Sequence, residues 1–201
     1  LSTNGIVMDV SGPVIKAGET TLNNGSTTTY TTKQTITVTD TNLGKVTVTK
    51  NNSEPASTED KVIQGEQSTF ELEVDGTYTI TATDKAGNTT EVTLQGKVAE
   101  PKFKIGDKEY EEGQTYTGSQ TVTITSDTAD AKIYYTINGE DPTTASDEYT
   151  KPILIKKSTT LKAIAVKKGM VDSDIETAEY TIKIVPVDIS IKTGLSRTEY
   201  V

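Results

Sequence analysis

Between about Val14 and Gln95 apolar residues recur at every second position: Ile36 and Val38, Val46 and Val48, then Phe70, Leu72 and Val74. Tyr78, Ile80 and Ala82 continue the series, and Val92 and Leu94 close it. Successive side chains of a strand point to opposite faces, so this period predicts strands buried on one side. No segment sustains a helical period. The interleaved residues are largely Thr, as in TITVTDTNLGKVTVTK, which is polar yet β-prone. Asp75-Gly76 lies between two alternating runs and predicts a tight hairpin, while Asp84 to Asn88 predicts a wider hairpin turn. The polar stretch Asn51 to Asp60 reads as a loop.

Gly96 to Glu100 forms a short linker before Pro101, after which the alternation resumes at Val122 and Ile124 and again at Ile133, Tyr135 and Ile137. Asn138-Gly139 and Asp141-Pro142 mark a loop, since Gly permits positive φ and Pro cannot extend a central strand. Leu161 to Val166 is apolar on both faces apart from Lys162, as expected of a strand covered on both sides. Residues 132–182 read as four short strands. The predicted fold is therefore all-β, in two tandem sandwiches over residues 1–97 and 98–184. Residues 185–201 read as the truncated start of a further repeat or as an extension strand, with Val187 to Ile191 expected along the second sheet.

Two parts of the chain carry family resemblances. DGTYTITATDKAGNTTEVTL resembles the closing hairpin of bacterial immunoglobulin-like domains, through the turn Asp84, Ala86, Gly87 and Asn88. SGPVIKAGETTLNNG resembles the usual entry strand, and roughly seven strands suit a domain of about 100 residues. In the second half, Ile133–Thr136, Gly139–Thr143, Ser158–Ala165 and Asp172–Ser173 resemble steps of the chitobiase/β-hexosaminidase C-terminal domain. Asn138 stands where that family usually has Asp, and both suit a turn. The resemblances imply two tandem immunoglobulin-like β-sandwich modules in a secreted or cell-wall-associated protein of many domains from a bacterium, of Gram-positive type. They imply a non-catalytic spacer, accessory to a glycoside hydrolase or an adhesin, with a carbohydrate-binding module as the alternative.

Charge and composition narrow the chemistry. A net charge of −9 argues against nucleic acid, whose phosphates such a surface repels. Arg197 is the only arginine, no apolar run reaches the length of a membrane span, and no signal peptide is seen, so the chain reads as a piece of a longer protein. With no His and no Cys, the commonest general base, the thiolate nucleophile and zinc ligation are all missing, and no enzyme activity or cofactor is expected. The acidic pairs Glu111-Glu112, Asp107 with Glu109, and Asp147-Glu148 lie in polar stretches without an apolar wall and read as solvated charge. Calcium, which takes oxygen ligands, has a candidate set in Asp9, Asp84 and Asn88, against a simpler role as turn caps, and Asp172 and Asp174 are weaker candidates of the same kind. A Lys–Asn isopeptide cross-link finds its residue types but no signature.

For glycans, no Trp is present, which leaves tyrosine as the stacking platform. Tyr134 and Tyr135 are adjacent on a strand and must face opposite ways, so one belongs to the core and the other is free to bind. Tyr149, with Tyr110 and Tyr116, lies near enough in the pattern to join it; the plainer role for Tyr149 and Tyr180 is anchoring sandwich edges through phenols bonded to backbone. Expected partners are the neighbouring domains of the same polypeptide, with a glycan or a surface protein as the candidate ligand, no membrane, and a monomeric state.

Overall fold

A computed structural model describes residues 9–52 and 55–183, and these form eighteen β-strands in four sheets with no helix. The expectation for Val187 to Ile191 lies outside the described residues.

In the first module β1 (Val14–Ala17), β2 (Thr20–Leu22), β4 (Gln34–Thr39) and β7 (Gln67–Leu72) make one sheet, ordered β2-β1-β4-β7. The facing sheet contains β3 (Thr27–Tyr30), β5 (Leu43–Lys50), β6 (Ser57–Asp60), β8 (Thr77–Asp84) and β9 (Thr89–Gly96), ordered β3-β9-β8-β5-β6. β3 runs parallel to β9, and the other pairings are antiparallel. Ile15, Ile36 and Val38 from one sheet and Ile80, Ala82 and Leu94 from the other are fully buried in a shared core. Each aliphatic side chain so enclosed stabilises the fold by about 1.5–3 kcal/mol relative to exposure. The intervening Thr residues occupy the outer faces, which is why a chain so poor in large apolar residues still closes a core.

The second module repeats this order strand for strand. β10 (Lys102–Ile105), β11 (Lys108–Glu109), β13 (Gln120–Thr125) and β16 (Ile153–Ile155) form a sheet ordered β11-β10-β13-β16. β12 (Thr115–Thr117), β14 (Lys132–Thr136), β15 (Asp147–Glu148), β17 (Thr159–Val166) and β18 (Glu176–Lys183) form the other, ordered β12-β18-β17-β14-β15. β12 is again parallel to β18. The core combines large and small residues: Phe103 and Tyr180 pack in one cluster with Ala163, Ala165 and Ala178.

Four expectations need correction. Asp75-Gly76 makes no hairpin: β7 pairs with β4 and β8 with β5 and β9, so this dipeptide carries the chain from one sheet to the other. The alternation on either side is real, yet it says nothing about which strand is the partner. The polar stretch before Asp60 contains β6, an edge strand exposed along its whole length, so it has no apolar face to betray it. The entry strand is divided into β1, β2 and β3, which together with β6 gives nine strands where roughly seven were expected. Residues 132–182 hold five strands where four were read, the extra one being the two-residue β15, an exposed edge strand like β6.

The linker is hydrogen-bonded to both modules. Lys97 N–H donates to Tyr30 O (2.9 Å), Val98 N–H to Val171 O (2.9 Å), and Val171 N–H to Gly96 O (2.9 Å). A parallel bridge between Lys97 and Val171 results. Thr77 Oγ1 donates to Gly169 O (3.0 Å) across the same joint, and Lys97 Nζ pairs with Asp174 (2.6 Å). Beneath it Asn52 is wedged between two glycines. Its amide nitrogen donates to Asp75 O (3.2 Å) and its side-chain oxygen accepts from Thr77 N–H (3.3 Å). A Cβ on Gly76 would lie 2.1 Å from Asn52 Oδ1, and one on Gly169 would lie 2.2 Å from Asn52 Cβ. Val98 and Pro101 are then buried at the top of the second module.

Two tyrosines of the sandwich interiors differ in one respect that can be measured. Tyr30 Oη donates to Glu73 O (2.7 Å), whereas the buried Tyr180 hydroxyl has no hydrogen-bond partner among the described residues. Tyr30→Phe is expected to cost about 1 kcal/mol and Tyr180→Phe to stabilise by about 1 kcal/mol, because an unmet buried hydroxyl is removed. Urea unfolding midpoints with unchanged slopes check both signs.

Candidate functional site

The three tyrosines singled out as a ligand platform are not brought to one face. Tyr134 lies on the outer side of its sheet, paired in register with Ile164 and Glu148. Tyr135 is on the core side and meets Tyr149 edge-on, with ring centroids 6.4 Å apart. Tyr110 and Tyr116 gather instead around Tyr180, at 5.3 and 6.0 Å. The edge-anchoring role expected of Tyr149 and Tyr180 falls to Tyr110, whose hydroxyl donates to Glu179 O (3.1 Å) and accepts from Glu179 N–H (2.9 Å). Tyr134 therefore stands on its face without a second ring from this set. The acidic pairs Glu111-Glu112, Asp107 with Glu109, and Asp147-Glu148 are all exposed.

A closer gathering of charge forms where the first module begins. Carboxylate oxygens of Asp9, Asp40 and Asp84 all lie within 4.8 Å of one another. Asp84 and Asn88 were expected to cap the hairpin, and they do: Asp84 Oδ1 accepts Asn88 N–H (2.8 Å) and Oδ2 accepts the Asn88 amide (2.7 Å). The same amide reaches Asp9 O (3.1 Å) and so ties the entry segment to the turn. Asp40 and Asn42 were missed by the sequence reading. Asp40 Oδ1 accepts Asn42 N–H (2.7 Å) and the Asn42 amide donates to Asp9 Oδ2 (3.2 Å). The signal available was Asp-Thr-Asn directly after a strand, an Asx-turn pattern.

These oxygens are of the type a hard cation takes, and amide donors already hold every carboxylate of the set. For Asp84, burial alone would raise its pKa. The side-chain and backbone donors of Asn88, with the amides of Gly87 and Ala86, outweigh that and hold it below the usual carboxylate value. At the opposite end of the module, burial likewise lifts Asp75, and hydrogen bonds from Lys50 and Tyr78 more than offset it, again leaving the pKa lowered. Both carboxylates are thus structural: they fasten turns and strand ends.

The architecture defines a class, that of immunoglobulin-like accessory modules in tandem. Residues 111–177 match the family described as Chitobiase/beta-hexosaminidase C-terminal domain, about a third of the chain and wholly inside the second sandwich. That module is a chitobiase/β-hexosaminidase C-terminal-like sandwich, and an immunoglobulin-like one precedes it. No curated protein matches the chain. Among solved structures, the fibronectin(III)-like modules of Clostridium thermocellum CbhA are similar at 13% identity, covering 85% of this chain and 94% of that one, with a TM-score of 0.27. Murine CEACAM1b is similar at 16% identity, covering 85% and 100%, with a TM-score of 0.30. At such TM-scores these likenesses carry no argument, and the fold assignment rests on strand order and on the family match.

The lowered pKa of Asp84 gives a pH dependence with a defined sign. A carboxylate whose folded pKa is depressed adds stability that is fully present above its ordinary value near ~3.9 and is lost as pH falls through the folded value. Urea midpoints of wild type are expected to drop more between about pH 5 and pH 2.5 than those of Asp84→Asn, which has no such proton to take up. Parallel pH profiles for the two proteins would count against the assignment.

Proposed function

We propose that this chain is a spacer: two sandwiches locked end to end that hold a catalytic or adhesive head of a longer, secreted or cell-surface bacterial protein at a set distance and orientation. The observation that supports this reading is the joint. A flexible tether would leave its backbone groups to water, as Gly/Ser linkers do. Here Gly96, Lys97 and Val98 are hydrogen-bonded in both directions, and a loop of the second module is seated against the strand ends of the first. Relative motion of the modules would have to break this ladder and withdraw Gly169 from Asn52. The neighbouring domains of the same polypeptide are the partners in this reading, and the monomer is the working unit.

The paucity of reactive groups fits the same role. Lysines are drawn into ion pairs with neighbouring strands and loops, among them Lys102–Asp127 (2.5 Å), Lys132–Glu148 (3.2 Å) and Lys162–Asp141 (2.7 Å). Such exposed pairs contribute little stability each, and they keep a Thr-rich surface soluble and unselective.

Gly169→Ala tests the rigidity directly. Gly169 has φ +84° and no room for a Cβ beside Asn52. The variant is expected to leave both sandwiches folded, because the strain falls on a surface loop, while freeing the joint. Residual dipolar couplings for wild type should fit a single alignment tensor across both modules, and two in Gly169→Ala. Two tensors already in wild type would refute the spacer reading.

A further inference from the structure

Two Asn-Gly pairs lie among the described residues, Asn24-Gly25 and Asn138-Gly139, and the fold treats them differently. The pairing matters chemically because glycine has no Cβ to shield its nitrogen, which can therefore attack the side-chain carbonyl of the asparagine before it. Three conditions favour that attack: a nitrogen free of other bonds, a carbonyl turned toward it, and support for the oxyanion that forms. Asn24-Gly25, between β2 and β3, fails the first. Gly25 N–H donates to Glu91 O (2.7 Å), and Asn24 Oδ1 accepts Glu91 N–H (2.8 Å). Glu91 belongs to β9, which lies inside its sheet, so the nitrogen cannot react without giving up a bond to a fixed strand.

Asn138-Gly139, just beyond β14, meets all three. Gly139 N–H has no hydrogen-bond partner among the described residues. Asn138 Oδ1 accepts Glu140 N–H (3.1 Å), which turns its side-chain carbonyl toward the C-terminal side of its own backbone, where the Gly139 nitrogen lies. The same N–H stands ready for negative charge growing on Oδ1, as the backbone donors of an oxyanion hole do. The amide nitrogen that has to leave is held by the Glu140 carboxylate (2.8 Å). The surroundings are open: the nearest atom to a Cβ placed on Gly139 is that of Thr160, at 3.7 Å.

We propose that Asn138 is a modification site, where the folded chain deamidates itself, and that Asn24 is protected from the same reaction. The Gly139 nitrogen bonds to Asn138 Cγ and gives its proton to water. The Cγ–Nδ2 bond breaks, and the departing nitrogen takes a proton from water to leave as ammonia. One water molecule then opens the succinimide at either carbonyl, giving aspartate or isoaspartate at position 138. Either product puts a carboxylate where an amide had donated to Glu140, so that attraction turns into repulsion between like charges. Thr160 lies at the start of β17 and Gly169 of the joint follows its end, so the new charge falls at the far end of the second module. The site is independent of the spacer reading.

Peptide mapping by mass spectrometry, on the whole chain incubated in mildly alkaline buffer, reads both sites in one experiment and separates aspartate from isoaspartate products by retention. In the folded chain Asn138 is expected to convert about tenfold faster than Asn24, the scale of the one hydrogen bond that Gly25 must give up. In urea the two rates are expected to converge, because the fold alone distinguishes the pairs. Equal rates at the two sites in the folded chain, a difference that persists in urea, or an Asn138 that stays intact while the chain is folded would overturn the proposal.

Discussion

A strand whose apolar residues all fall on one side cannot stand alone, because the sheet it joins has a single face that water must leave. That constraint governs everything else here. Ile36 and Val38 need a ceiling, which Ile80, Ala82 and Leu94 provide from the opposing sheet. The threonines between them keep the outer faces wet while holding the backbone extended. A second pair of sheets then arises by the same logic, and its TYTGSQTVTIT (Thr115–Thr125) closely repeats TYTTKQTITVT (Thr29–Thr39) of the first. Both modules adopt one strand order, with the entry strand crossing between sheets to lie parallel to the last.

The joint extends this economy. Small residues sit where the modules meet, and their lack of side chains is what lets backbone touch backbone. Gly76 and Gly169 approach Asn52 from two sides, and Gly96 shares in the bridge to Val171. In the proposed spacer role function is geometric, and the joint sets the geometry.

Much of the fold was legible in the residues because period-two burial is a local property. The Asp84–Asn88 turn, the linker ahead of Pro101 and the two-sandwich plan all follow from neighbours in sequence. What failed was non-local. The dipeptide Asp75-Gly76 has hairpin chemistry, but pairing is decided by β4 and β5, which lie far back in the chain. β6 escaped because a fully exposed edge strand carries no burial pattern. The candidate sites divide in the same way. Opposed faces for Tyr134 and Tyr135 were readable from adjacency alone, while the company each ring keeps was not. Asp40 joins Asp9 and Asp84 only through tertiary closure.

The parallel pairings of β3 with β9 and of β12 with β18 have a consequence for load. In each module the strand near the entrance and the strand at the exit lie side by side and point the same way. A pull on the two ends of a module drags these strands in opposite directions along their length. The hydrogen bonds between them are then loaded together, in shear, and none can be peeled away before the rest. A module pulled at its two ends therefore meets this shear-loaded pair once the load has passed its first two strands, and the two modules present two such pairs in series.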